Sequence, residues 1–341
     1  MLAVVAAFAL QSGPMLPPHP KGYVCHRADH PLIIDGKLDD TAWRDAPWTD
    51  SFIDIQGDAK MPRPRYQTRA KMLWDEQYFY IGAYLHEPHV WGTLTEHDSV
   101  IFHDNDFEVF IDPNGDNHDY YEFEINALNT GWDLRLPKPY RDGGPALNEW
   151  EIPGLKTAIH IDGTLNNPMD VDEGWSVEIA IPWKVLGEFA GCPAPPAEGD
   201  QWRVNFSRVE WLTDIVDNKY VKVKGKPEDN WVWSPQHAID MHRPEYWGYV
   251  QFTSKRPGTV TFERDPLWEG RMQAMRIYYA QKAFREKNKK WAASLAELGG
   301  DYGPCALDMT SEGWRAWTAG ERNGQPSKVF VRQDSKLWVE P

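Results

Sequence analysis

Cysteine is scarce: Cys25, Cys192 and Cys305 are the only three in 341 residues. They are too few and too scattered for a disulfide framework or a zinc site, so at most one pair bridges. Positive charge is scarce as well. A formal net charge of −15 repels phosphate backbones, and Lys287, Lys289 and Lys290 form the one basic cluster, which argues against nucleic acid as a partner. No apolar run approaches the roughly 20 residues of a transmembrane helix. The chain also lacks the G-x-S-x-G elbow of serine hydrolases and the C-x-x-C-H motif of haem attachment. What remains is a globular chain held by packing, long enough for one large domain and an appendage.

The first residues, MLAVVAAFALQSGP, form an apolar run too short to span a bilayer, followed by polar and Pro-rich sequence. Although a charged start is missing, the Ala7-Phe8-Ala9 triplet fits a cleavage site. Residues 1–20 therefore read as a signal or leader segment, and the expected location is secreted or periplasmic.

Aromatic residues are abundant, with 18 Trp and 14 Tyr; such rings serve both cores and binding surfaces. From Pro31 to Phe252 short alternating stretches rich in β-branched and aromatic residues are separated by Asp, Asn, Gly and Pro clusters, which is an all-β pattern. Strands are expected at 67–74, 78–85, 106–111, 120–127, 157–161, 174–181, 201–210 and 248–253. This is the layout of an antiparallel, jelly-roll-like β-sandwich. Short helical turns are expected at Asp39–Trp43 and after Pro182. Beyond a boundary near 254–265, Trp268, Met272, Met275 and Tyr279 mark an amphipathic helix running to about Lys290, and Lys328–Arg332 with Lys336–Val339 reads as a hairpin. The domains are then 25–253 and a small α+β appendage at 266–341. The appendage's apolar stripe must be buried against something, within the unit or on a partner protein.

The most informative segment pairs 106–112 with 120–126. If Phe107, Val109, Ile111, Tyr121, Phe123 and Ile125 build core, strand alternation forces Glu108, Phe110, Glu122, Glu124 and Asn126 to the opposite face. Like charges across a strand pair are destabilising. A ligand rich in hydroxyls would offset that, because carboxylates accept several hydrogen bonds. Solvation, or pairing with Arg135, Arg203 or Arg208, would offset it too. In the connecting turn, Asp112, Asn114 and Asp116 alternate as in calcium loops, but the closing Glu of an EF-hand is missing and Asp-Pro-Asn-Gly is also ordinary turn chemistry. His86, His89, His97, His103 and His118 match no zinc spacing.

Four motifs in order resemble carbohydrate-binding module family 9: Ile34-Asp35-Gly36-Lys37-Leu38-Asp39 with Trp43, then Leu73–Tyr80, Glu108–Asp112 and Trp175–Trp183. The resemblance covers about residues 25–253 and implies a sugar-binding β-sandwich, often with structural calcium, of the kind attached to xylan-degrading glycosidases. It also implies a site in which two aromatic residues clamp a sugar ring beside polar groups of the hairpin. Glu108 and Asn126 match those polar positions, and Glu124 stands where the family has a basic residue. The clamp positions fall at Phe102 and Met241, where the family has tryptophan. Two other functions stay open on the residues: glycoside hydrolysis by two of Glu108, Glu122, Glu124 and Glu178, and a haem-bearing electron-transfer sandwich using Met241.

Overall fold

A computed structural model of the chain describes residues 16–322 and 324–341. The leader reading, with its Ala7-Phe8-Ala9 triplet, lies outside these residues. The chain divides into a unit of Pro20–Arg264 and a unit of Asp265–Pro341. The second unit also takes in His19, whose ring lies 5.5 Å from that of Trp268.

The first unit contains β1 (Gly22–Arg27), helix α1 (Thr41–Asp45), β2 (Ile53–Asp54), β3 (Thr68–Trp74), β4 (Tyr78–His86), β5 (Asp106–Asp112), β6 (Tyr120–Asn126), β7 (Gly131–Leu136), β8 (Lys156–Asp162) and β9 (Gly174–Pro182). It continues with α2 (Trp183–Leu186), β10 (Gln201–Glu210), β11 (Thr213–Val216), β12 (Lys219–Lys222), β13 (Asp229–Val232) and β14 (Gly248–Thr253). One 12-stranded sheet runs β7-β6-β5-β10-β14-β1-β3-β4-β9-β8, with β13 and β2 attached to the far half of β10. The sheet curls until its two halves share a core. Phe107, Val109 and Ile111 of β5 and Tyr121, Phe123 and Ile125 of β6 lie in one buried cluster with Phe79, Ile81, Val177 and Ile179 of β4 and β9.

The antiparallel expectation meets one exception, which makes the sheet mixed. β1 is parallel to both β14 and β3. It starts the unit and lies beside the strand that ends it, so no hairpin joins them, and the link from β1 to β3 is a long crossover of the kind parallel neighbours need.

The motif residues Asp35, Gly36 and Trp43 meet at one buried acid on the outer face of β9. Glu178 accepts hydrogen bonds from the Asp35 and Gly36 amides, both at 2.8 Å, and from Trp43 Nε1 at 2.7 Å. Gly36 has φ +87°, and a Cβ there would stand 2.4 Å from the Ile159 carbonyl carbon, so only glycine fits. Glu178 thus fastens the entry loop to the sheet, and its hydrogen bonds account for it without a catalytic role.

A second fastening sits where the ends of β3, β4 and β10 meet. Arg208, fully buried, donates to Glu87 Oε2 at 2.6 Å, Glu210 Oε2 at 2.8 Å, Thr68 Oγ1 at 3.1 Å and the His86 carbonyl at 2.9 Å.

In the second unit, helix α3 (Trp268–Asn288) and a turn, α4 (Leu295–Leu298), accompany a four-stranded sheet of β15 (Cys305–Thr310), β16 (Gly313–Arg322), β17 (Gln325–Arg332) and β18 (Leu337–Glu340). The helix buries Trp268, Met272, Met275 and Tyr278, whereas Tyr279, expected on the stripe, is only half-buried. Met275 and Tyr278 belong to the same cluster as Trp314, Ala316, Val329 and Leu337 of the sheet, so much of the apolar stripe is covered within the unit. All three cysteines are free. Among the described residues no helix is long and apolar enough to cross a membrane.

Replacing Arg208 with Met leaves Glu87 buried without its cation and Glu210 with only Arg65, 3.6 Å away. Urea unfolding is expected to show a loss of about 3–5 kcal/mol, and a loss under about 1 kcal/mol would mean that the ion pairs do not hold the sheet ends.

Candidate functional site

Pairing on the β5–β6 hairpin sets the site. Glu108 lies opposite Glu124, Phe110 opposite Glu122 and Asp106 opposite Asn126. Ser207 of β10 flanks Glu108, and Trp132 of β7 flanks Glu124. One row across four strands therefore reads Ser207, Glu108, Glu124, Trp132, and the next reads Asn205, Phe110, Glu122, Leu134. Alternation puts all of them on the face away from the main core.

That face is also covered. Phe110, Tyr120, Leu134, Leu136, Val232, Met241 and Trp247 form a second apolar cluster beside the acids. As a result Glu108, Glu122 and Glu124 are only 5%, 5% and 2% exposed, and Asp106 is fully buried. The arginines considered as neutralising partners are engaged elsewhere. Arg208 binds Glu87 and Glu210, Arg135 pairs with Asp119, and Arg203 donates to the Pro244 and Glu245 carbonyls.

Each acid can be followed to its contacts. Glu124 Oε2 accepts the Phe102 amide at 2.9 Å, and Asp106 Oδ1 accepts the Val209 amide at 3.1 Å. Asp106 Oδ2 and Glu122 Oε2 are buried without a hydrogen-bond partner. Carboxylate oxygens of Asp106, Glu108 and Glu124 all lie within 4.8 Å of one another.

Around the acids stand half-buried aromatic groups. Phe102 sits on the 3₁₀ turn Ile101–His103, and its carbonyl accepts Trp211 Nε1 at 2.8 Å. The Lys222 ammonium lies 3.5 Å from the centre of the Trp211 ring. Asp104, Glu228 and Asp106 act on this ammonium. Tyr140, 45% exposed, packs its ring 4.4 Å from His242. Burial, then the charges of Glu122 and Glu124, push its hydroxyl up to about 12.

The site residues expected from sequence fare differently. Phe102, Glu108 and Glu124 come together. Asn126 is fully buried: its Nδ2 donates to the Leu94 carbonyl and Asp104 Oδ2, and its Oδ1 accepts the Leu128 and Thr130 amides. It shapes the β6–β7 turn and has no amide atom left to present to a ligand. Met241, 8% exposed, fills space in the second apolar cluster, so neither sugar stacking nor haem ligation finds an exposed thioether there. Tyr140, Trp132 and Trp211 were missed; Trp132 was legible in the alternation of Gly131–Leu136, the others stand in loops without a pattern.

The turn expected as a calcium loop is closed by its own hydrogen bonds. Asp112 takes the Gly115 and Asn117 amides, Asn114 the Asp116 amide and Asp116 the His118 amide. Of the loop histidines, His97 alone lies in a metal-compatible group, with Asp98 and Asp133. Its Nε2 lies 3.2 Å from the exposed Glu151 carboxylate.

Burial, with the charge of Glu228 adding to it, pushes Glu108 up to about 7, and burial followed by repulsion from Glu108 holds Asp106, Glu122 and Glu124 well above the carboxylate range. The folded state therefore binds protons that the unfolded chain has released. Their stabilising contribution is complete below the unfolded pKa, about 4.3, and is lost as pH rises through about 7. Without added cations, the urea midpoint is expected to fall between about pH 5 and 8, and to fall less in Glu124→Gln. Equal slopes in the two proteins would show that these acids are not the cause.

Carbohydrate family 9 binding domain-like is the family whose model matches, over residues 34–251. Endo-1,4-beta-xylanase A of Thermotoga maritima is 26% identical over 160 residues, which is 45% of this chain and 12% of the xylanase. Exoglucanase XynX of Acetivibrio thermocellus is 28% identical over 153 residues, 44% of this chain and 11% of that enzyme. The chain thus spans a small part of these curated relatives. Among solved structures, a Bacteroides uniformis protein described by an expected carbohydrate-binding role aligns at 15% identity and TM-score 0.50, over 68% of this chain and 99% of its own. A carbohydrate binding module family 9 from Caldicellulosiruptor kristjanssonii, in complex with cellotriose, aligns at 16% identity and TM-score 0.46, over 72% and 100%. With the matched region spanning more than half its length, the chain belongs to the carbohydrate family 9 binding domain-like family.

Proposed function

We propose that the chain is an exported, non-catalytic carbohydrate-binding protein that supports polysaccharide breakdown by separate glycoside hydrolases. The observation that carries this reading is the juxtaposition of the β5–β6 acids with Phe102, Trp211 and Tyr140 in a domain of this family. Rings offer a flat apolar face to a sugar's C–H groups. Carboxylates accept its hydroxyls, and protonated ones also donate.

In this reading Phe102 is one stacking ring and Tyr140 takes the opposing place that Met241 does not fill. Glu108 and Glu124 receive hydroxyls at the floor. Export agrees with the domain type and with the leader-like start.

The test is calorimetric titration with xylan fragments and cello-oligosaccharides, chosen because the partial relatives are a xylanase and an exoglucanase. Phe102→Ala, Tyr140→Ala and Glu108→Ala are each expected to weaken binding by about tenfold or more, the effect of losing about 1.4 kcal/mol at a central contact. Unchanged affinity in all three variants would remove the site assignment, and no binding to either ligand class would count against the function. Reducing ends released by the purified protein would contradict the non-catalytic reading.

A further inference from the structure

Three hairpin carboxylates converge, and the pairing logic that brings them together supplies no cation for them. Among the described residues Lys222 is the ammonium on which Asp106 acts, and it is drawn also toward Asp104 and Glu228. Of Asp106, Glu108, Glu122 and Glu124 only Asp106 acts on it, and Arg135, Arg203 and Arg208 have their own acceptors.

Two independent features point to a ligand in this space. The first is spacing. Oxygens of Asp106, Glu108 and Glu124 lie within 4.8 Å of one another; a calcium-sized ion with ligands at about 2.3–2.6 Å places oxygens on its opposite sides roughly 4.6–5.2 Å apart and adjacent ones closer. The acids can therefore converge on one ion with little movement. The second is the orphaned oxygens. Asp106 Oδ2 and Glu122 Oε2 are buried with no donor, which is unfavourable for a neutral group and more so for a charged one. Glu122 lies outside the converging trio but on the same face, one pair further along the hairpin.

We propose that Asp106, Glu108 and Glu124, supported by Glu122, bind a hard divalent cation of the calcium class, and that sugar hydroxyls complete its coordination. The first half stands on the geometry of the acids alone; the second rests on the carbohydrate-binding reading. All-oxygen ligands select hard cations over zinc or copper, which favour nitrogen and sulfur. Three carboxylates leave a six- to eight-coordinate ion with positions to fill; on the side of Phe102 and Tyr140, which adjoin Glu124, a pair of adjacent hydroxyls replaces water. The site is distinct from the Asp112–Asp116 turn, whose oxygens close the turn itself.

Terbium luminescence and calcium-dependent thermal melting of the full chain, without sugar, test the first half. The wild-type protein is expected to bind one ion here and to gain melting temperature with calcium. Glu108→Gln and Glu124→Gln should weaken binding by at least about tenfold, because ligand charge sets calcium affinity. Both variants remove repulsion and should melt no lower than wild type without calcium, so a lost calcium response is separable from misfolding. Asp112→Asn and His97→Ala, placed in the other candidate groups, should retain the ion. An absent calcium response, or one unaffected by the two Gln variants, overturns the site.

For the second half, glycan titration is repeated with calcium and with chelator. A fall of about tenfold or more on chelation is expected if hydroxyls complete the coordination sphere. Equal affinity in both conditions overturns the bridging role and leaves the metal site standing. Absence of glycan binding in both conditions is a failure of the carbohydrate reading, and the luminescence result still decides the metal.

Discussion

Burial on both faces of the β5–β6 hairpin is the constraint on which the site depends. A half-covered antiparallel pair resolves its alternation simply, with apolar residues inward and acids in water. Here the inward set joins the main core, while Phe110, Tyr120, Leu134 and Trp247 build a second apolar layer on the opposite face. The acids are thus held beside a hydrophobic wall instead of at a wet surface. Their field is stronger for it, since opposing charge in a low-dielectric setting interacts several-fold more strongly than in water. That wall makes three glutamates and an aspartate expensive when nothing neutralises them.

The site is fastened to the buried Arg208 clasp. Arg208 gathers Glu87 and Glu210, and Asn105 donates to both of these carboxylates while its Oδ1 accepts the Trp211 amide. Trp211 in turn donates to the Phe102 carbonyl, and the Phe102 amide binds Glu124. A continuous series of hydrogen bonds therefore runs from the clasp to the site floor. Asp104, which accepts the Thr93 and Leu94 amides and Asn126 Nδ2, locks the same loop from its other side. Tying the turn that carries Phe102 to the Glu124 carboxylate of β6 leaves few rotamers of either group to be frozen by a ligand.

Sequence alternation carried most of this architecture. The eight expected strands coincide with β3, β4, β5, β6, β8, β9, β10 and β14 within a residue or two, and the facing of the hairpin residues follows from their parity. Three things were not legible. The parallel placement of β1 depends on which distant strand ends beside it, which no local pattern encodes. The second cover over the acids comes from segments near 140 and 241, so burial of Glu108 and Glu124 is a tertiary fact. Asn126 and Met241 sit at matching positions in the order of motifs, yet their atoms are engaged by Leu94, Asp104 and the second apolar cluster. Position in a motif fixes backbone location; the surrounding loops decide what a side chain at that location can touch.

The acid face is unbalanced in charge at one position of the hairpin. A basic residue at position 124 would neutralise Glu108 directly across the strands, and the pocket would be satisfied whether or not a ligand were present. Glutamate there doubles the charge, deprives Glu108 of an internal partner and leaves Lys222 on the rim against the Trp211 ring. Local rules for pairing and burial are therefore broken together at one place, while the rest of the sandwich obeys them, which is the usual signature of a functional constraint. Glutamate at position 124 creates a demand for positive charge or protons at the floor. Any ligand that answers it must bring donors or a cation deep enough to reach between β5 and β6. A ring stacked on Phe102 alone would leave the demand unmet, so affinity in this site has to come from the floor as much as from the aromatic walls.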